Sequence, residues 1–137
     1  MNKGFTLIEL IVAVIIVGLL AVMAIANFQE PLERSRAKNA IFNLQTIYNA
    51  QKRYYLDEKK YYLKHAGTQT QILEGINENL SITIKDDFFN YSINILGSDG
   101  YKARATRIFC NECKCQGKSL FITDANNTVD KKGCKLW

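Results

Sequence analysis

Four cysteines, one histidine and a few carboxylates are the residues of this 137-residue chain that could do chemistry. Cys110, Cys113, Cys115 and Cys134 read as a C-x2-C-x-C cluster with a distant fourth thiol. Four thiolates can hold zinc tetrahedrally. A second C-x2-C knuckle is absent, however, and C-x-C is a poor bite for a tetrahedron, so no metal site is assigned. In an exported chain an even cysteine count favours two disulfides. Of the three pairings, one needs a bond between Cys113 and Cys115, which is strained in extended backbone. The other two each tie Cys134 back to the loop, at Cys113 or at Cys115. Closing a loop of about 20 residues stabilises by ~2–4 kcal/mol.

The remaining candidates are weaker. His65 sits in a turn-rich segment, and a chain with a single histidine is a poor enzyme. No catalytic residue and no cofactor are assigned. Asp86 and Asp87 could touch calcium, but adjacent aspartates before a strand read better as turn residues. Tyr48, Tyr54, Tyr55, Tyr61 and Tyr62 read as core and helix-surface aromatics. Residues 101–137 carry eight cations (Lys102, Arg104, Arg107, Lys114, Lys118, Lys131, Lys132, Lys135) against three acids. Such a run suits DNA if the cations cluster, and otherwise a solvated face or a seam between subunits.

The elements that must position these residues follow from the hydropathy pattern. The chain is 47% hydrophobic with a mean hydropathy of −0.13 and a formal charge of +5, average values that hide an uneven distribution. Residues 5–26 hold one charge, Glu9, and one hydroxyl, Thr6. As a helix, 22 residues span ~33 Å, enough to cross a bilayer core. The stretch exceeds the ~7–15 apolar residues of a cleaved secretory signal. A plain signal anchor is a second reading.

After Pro31, which should kink the helix or end it, Ala37, Ile41, Leu44, Tyr48, Gln51 and Tyr55 recur at helical spacing. This predicts one kinked helix over residues 5–56, apolar all round in its first half and amphipathic in its second. Residues 57–79 read as a connector with a weak helical patch at 70–73. The period then switches to two. Leu80, Ile82 and Ile84 predict one strand, Phe89, Tyr91, Ile93 and Ile95 a second, and Tyr101, Ala103 and Ala105 a third. Gly97-Ser98-Asp99-Gly100 closes a hairpin, and residues 119–123 turn at 124–127 into a last short strand. The class is α+β, a long kinked N-terminal helix whose C-terminal half packs on a small antiparallel sheet.

Met1-Asn2-Lys3-Gly4-Phe5-Thr6-Leu7-Ile8-Glu9 resembles the leader and mature start of type IV prepilins and type II secretion pseudopilins. The family pattern is a short basic leader ending in Gly, then Phe-Thr-Leu-Ile-Glu, then an unbroken apolar helix. The likeness is close over about the first 30 residues and architectural beyond them. It implies a leader at residues 1–4, a transmembrane and filament-core half-helix at 5–29, and a globular pilin domain at 30–137. A prepilin peptidase would cut between Gly4 and Phe5 and methylate the new Phe5 amine. Gly4 has no side chain to block a protease, and Lys3 keeps the leader cytoplasmic.

Glu9 would be the assembly residue. A carboxylate near a helix N-terminus gains ~0.3–1 kcal/mol from the macrodipole. In hydrocarbon it costs ~2.5–3.5 kcal/mol, so it wants a partner, for which the family uses a neighbouring subunit's amine. The implied partners are further copies of the chain in a helical filament, related minor pilins, and the inner-membrane assembly machinery. The precursor would sit in the inner membrane, and the product would be an extracellular or periplasm-spanning filament. A pseudopilin, or a membrane-anchored module binding DNA or zinc, is the alternative.

Overall fold

The computed structural model describes residues 5–26, 28–108, 115–135 and 137. Gly4, Cys110 and Cys113, singled out above, lie outside the described residues. The chain divides into two compact units, Met1–Glu33 and Arg34–Trp137.

The first unit contains helix α1, Leu7–Ala26. Its side chains are described as far as Met23, and every one of them is exposed. Among the described residues no helix is long and apolar enough to cross a membrane. Helix α2, Gln29–Glu58, begins two residues before Pro31. Of the two effects expected of Pro31, it does not end the helix, because it lies in the first turn of α2. In the first turn of a helix the missing proline N–H has no intrahelical acceptor to lose, so proline is tolerated there. The long N-terminal helical region thus comprises α1, to Ala26, and α2, from Gln29.

The second unit is a four-stranded antiparallel meander, β1 (Phe89–Leu96), β2 (Gly100–Arg107), β3 (Ser119–Thr123) and β4 (Asn126–Lys132), in that spatial order. Phe89, Tyr91 and Ile93 of β1, Tyr101, Ala103 and Ala105 of β2, and Leu120 and Ile122 of β3 are buried on one face. The period of two is thus read correctly, except that Ile95 is 62% exposed. The covering face of α2 is Ala37, Ala40, Leu44, Ile47, Tyr48 and Ala50, all buried in the same core, with Gln51 buried beside them. Tyr55, expected on that stripe, is 40% exposed. The β1–β2 turn needs its glycines. Gly97 has a φ of 68°, and a Cβ on Gly100 would meet the Leu96 carbonyl oxygen at 2.7 Å.

The strand expected at residues 80–84 is not formed. Leu80 instead completes helix α3, Gln69–Leu80, with Ile72 and Ile76 at i, i+4 spacing buried beneath it. Thr68 and Gln71 start that helix with a capping box, and Ser81 ends it in the left-handed region. The weak helical patch at 70–73 was its only trace in the pattern. Ile84 pairs with a side chain in place of a strand. Its N–H donates to Asn77 Oδ1 at 2.8 Å, and its carbonyl accepts from Asn77 Nδ2 at 2.9 Å.

Gln51 does the same for the connector. Its Nε2 donates to the Tyr62 carbonyl at 2.6 Å, and its Oε1 accepts the Tyr62 N–H at 3.0 Å. Beyond it, Lys64 bridges to Ile93 with two backbone bonds of 2.9 and 2.8 Å, covering part of the β1 edge. Asn43 joins α2 to β1 through Tyr91, whose hydroxyl donates to Asp86 Oδ2 at 2.6 Å. Burial and the bond to Asp86 raise the Tyr91 phenol well above the ordinary tyrosine range.

A fragment of residues 30–137 should therefore be a soluble, folded monomer by sedimentation and circular dichroism. Aggregated fragment would contradict the assignment of α2 as the covering helix. Within that fragment, Gln51→Ala leaves both polar groups of Tyr62 without their partner. At ~1–3 kcal/mol for each, urea unfolding should register a loss of about 2–6 kcal/mol. Asn49→Ala, on the exposed face, should cost under ~0.5 kcal/mol.

Candidate functional site

Phe5 and Thr6 precede α1, and Thr6 is tied to Glu9 three residues on. The Thr6 N–H donates to Glu9 Oε2 at 2.9 Å and the Thr6 hydroxyl donates to the same oxygen at 2.8 Å. In return the Glu9 N–H donates to Thr6 Oγ1 at 3.4 Å. This is a reciprocal capping box, and it satisfies N–H groups that the first helical turn leaves orphaned. It also fixes the carboxylate at the positive end of the helix dipole. Glu9, expected as the assembly residue, is thus held by Thr6, to which no role was assigned from the sequence. The T-x-x-E spacing ahead of an apolar run was the signal that could have found it.

Beyond the box, α1 has no polar stripe. Leu7 is 76% exposed, Leu19 62% and Leu20 63%, on three different sides of the helix. A helix apolar all round is stable only inside a bilayer or against other apolar helices. One end of the chain is therefore a surface awaiting a hydrocarbon or protein environment, with a single positioned carboxylate at its tip.

At the other end of the chain, Cys115 is disulfide-bonded to Cys134 across 19 residues, with their Cα atoms 5.3 Å apart. Of the two pairings left open, this is the one that uses Cys115. It joins the turn before β3 to the tail after β4. A zinc site of four thiolates loses two of its ligands to this bond. Among the described residues no cluster of three metal-ligating side chains exists.

The basic run does not gather into one patch. Arg107 is buried, donates to the Phe88 carbonyl at 2.9 Å and lies 5.5 Å over the Phe88 ring, so it serves the fold. Lys102 and Lys132 lie over Phe121 on the open face of the sheet. Lys131 and Lys135 line a cleft of about 310 Å³ with Arg34 and Lys38. Lys114 is outside the described residues. Asp86 is a turn residue, as expected. Its Oδ1 accepts the N–H groups of Phe88 and Phe89 at 2.8 and 3.2 Å. His65 is exposed.

The family model of the prokaryotic N-terminal methylation motif matches residues 1–25. Over 136 residues the chain is 32% identical to a fimbrial protein of Pseudomonas aeruginosa, a match covering 99% of this chain and 83% of that one. It is 45% identical over 60 residues to the type IV major pilin protein PilA of Myxococcus xanthus, covering 44% of this chain. That match spans only 27% of the Myxococcus protein's length. A third similarity is to type II secretion system core protein G of Escherichia coli, 29% identical over 71 residues, 52% of this chain and 49% of that one. No solved structure matches.

Protein taken from the cell exterior should carry no free thiol and no metal. Thiol titration of native protein tests the first point and elemental analysis the second. Reduction should remove about 2–5 kcal/mol of stability and lower the melting temperature. Four titratable thiols, or one bound zinc, would overturn the disulfide assignment.

Proposed function

We propose, because the chain belongs to the type IV pilin and pseudopilin family, that it is a structural subunit of a type IV pilus or pilus-like filament. Its role is assembly, not catalysis. Residues 1–4 form a leader that a prepilin peptidase removes between Gly4 and Phe5, after which the Phe5 amine is methylated. Residues 5–29 hold the precursor in the inner membrane. They then leave it to bundle with the same segment of other copies in the filament core. Residues 30–137 form the outer shell, closed by the Cys115–Cys134 bond, with Cys110 and Cys113 paired as the second disulfide.

The observation that carries this reading is the tip of α1. A helix apolar on every side must be covered, and it presents one carboxylate at its N-terminus. Thr6 holds a single oxygen of that carboxylate, Oε2. Among the described residues Oε1 accepts no hydrogen bond, so it remains available to the methylated amine of a neighbouring Phe5. A pseudopilin of a type II secretion system is the runner-up within the same family, supported by the likeness to core protein G. Imaging surface filaments in a strain lacking this chain separates the two.

Glu9→Gln tests the charge without disturbing the cap, because glutamine can complete a capping box as glutamate does. Leaving a buried ammonium without its counter-charge costs ~3–5 kcal/mol. The variant should be inserted and cleaved at normal abundance, yet give few or no filaments when it is the sole subunit. Co-expression with wild type should give partial incorporation. The readout is filament yield against membrane-pool abundance, and normal filaments from Glu9→Gln alone would sink the pairing. Thr6→Ser should assemble normally, whereas Thr6→Val, which loses the hydroxyl, should assemble less well.

A further inference from the structure

The cleft beside α2 gathers four basic side chains. Arg34 and Lys38 stand one helical turn apart on α2, Lys131 comes from β4 and Lys135 from the tail, with Ile41 and Trp137 between them. Among the described residues none of the four cations has an ion pair or hydrogen bond through its side chain. Four cations around an apolar floor repel one another, and an anionic partner relieves that repulsion.

The chain also carries the complement. Glu74 and Glu78 are exposed on α3, again one helical turn apart, and α3 has no basic residue. Among the described residues neither carboxylate has an ion pair. The two sites cannot meet in one copy. Helix α3 packs on β1 and Lys131 belongs to β4, the two outermost strands of the sheet. Along α2 the two sites are also far apart. Arg53 donates to the Leu80 carbonyl at the end of α3 at 2.8 Å. At 1.5 Å per residue, Lys38 and Arg34 stand about 22 and 28 Å from Arg53 along the helix axis.

We propose that the acidic face of α3 in one copy docks into the basic cleft of the next. Glu74 and Glu78 would align with Arg34 and Lys38, and Lys131 and Lys135 would flank the contact. The spacing supports this register, because both pairs are separated by four residues on helices and so by about 6 Å. Two different patches on opposite edges make a heterologous contact. Such a contact propagates head to tail in an open array and does not close a two-fold dimer. The inference rests on the filament reading and names the contact between globular domains that accompanies the bundling of α1.

Charge exchange in the full-length chain tests it. Arg34→Glu with Lys38→Glu, and separately Glu74→Lys with Glu78→Lys, should each cut filament yield at least tenfold at unchanged membrane-pool abundance. Combining all four substitutions should restore it. A second readout does not need filaments. In detergent, the wild-type chain and the fourfold variant should self-associate more in ~0.1 M than in ~1 M salt, as the Debye length falls from ~10 Å to ~3 Å. Both double variants should lose that salt-dependent part. Unimpaired filaments from either double variant, failure of the fourfold variant to recover, or equal association by all four chains would overturn the docking. If the wild-type chain forms no filaments but shows the exchange pattern in detergent, the docking stands and the filament reading falls.

Discussion

The controlling constraint is the apolar surface of α1. A helix with no polar stripe cannot rest in water, and the described part of α1 is exposed on all sides. Such a helix has two favourable environments, hydrocarbon and a bundle of its own kind, and a filament subunit must pass from one to the other. The transfer is easy in hydrophobic terms, since lipid tails are about as apolar as a neighbouring leucine. Direction has to come from something polar. The chain offers one such group in residues 7–26, and Thr6 holds it at the helix end.

The globular unit answers the opposite requirement, to be stable without help from α1. One modest helix–sheet core does most of this, but apart from the Lys64–Ile93 bridge the described segments between α2 and β1 form no strand. Two side-chain amides supply the pairing instead. Gln51 takes both backbone groups of Tyr62, and Asn77 takes both of Ile84. Each replaces a ladder rung at the cost of burying one polar side chain, which is sound only because every bond is made. The Cys115–Cys134 bond does for the tail what the amides do for the connector.

Much of this was legible in the sequence where periodicity is long and unambiguous. The apolar run, the α2 stripe and the alternation of β1 and β2 were all visible, because each repeats its signal three or more times. The failures fell where the signal was short. Leu80, Ile82 and Ile84 alternate over five residues, yet Leu80 belongs to a helix whose partners, Ile72 and Ile76, sit four and eight residues upstream. Pro31 carries the same signal whether it ends a helix or sits in a first turn, and here it sits in the first turn of α2. Thr6 and Glu9 look like polar interruptions of an apolar run, yet together they cap it. The Cys115–Cys134 pairing depends on how the tail returns after β4, which no local pattern encodes.

The processing proposed for the N-terminus would leave a covalent record. Intact-mass analysis and N-terminal sequencing of the chain from cells bearing a prepilin peptidase read that record directly. The account predicts a chain that begins at Phe5, lacks residues 1–4 and carries one added methyl group on its amine. A chain that begins at Met1, or one cut after the apolar run, would contradict it.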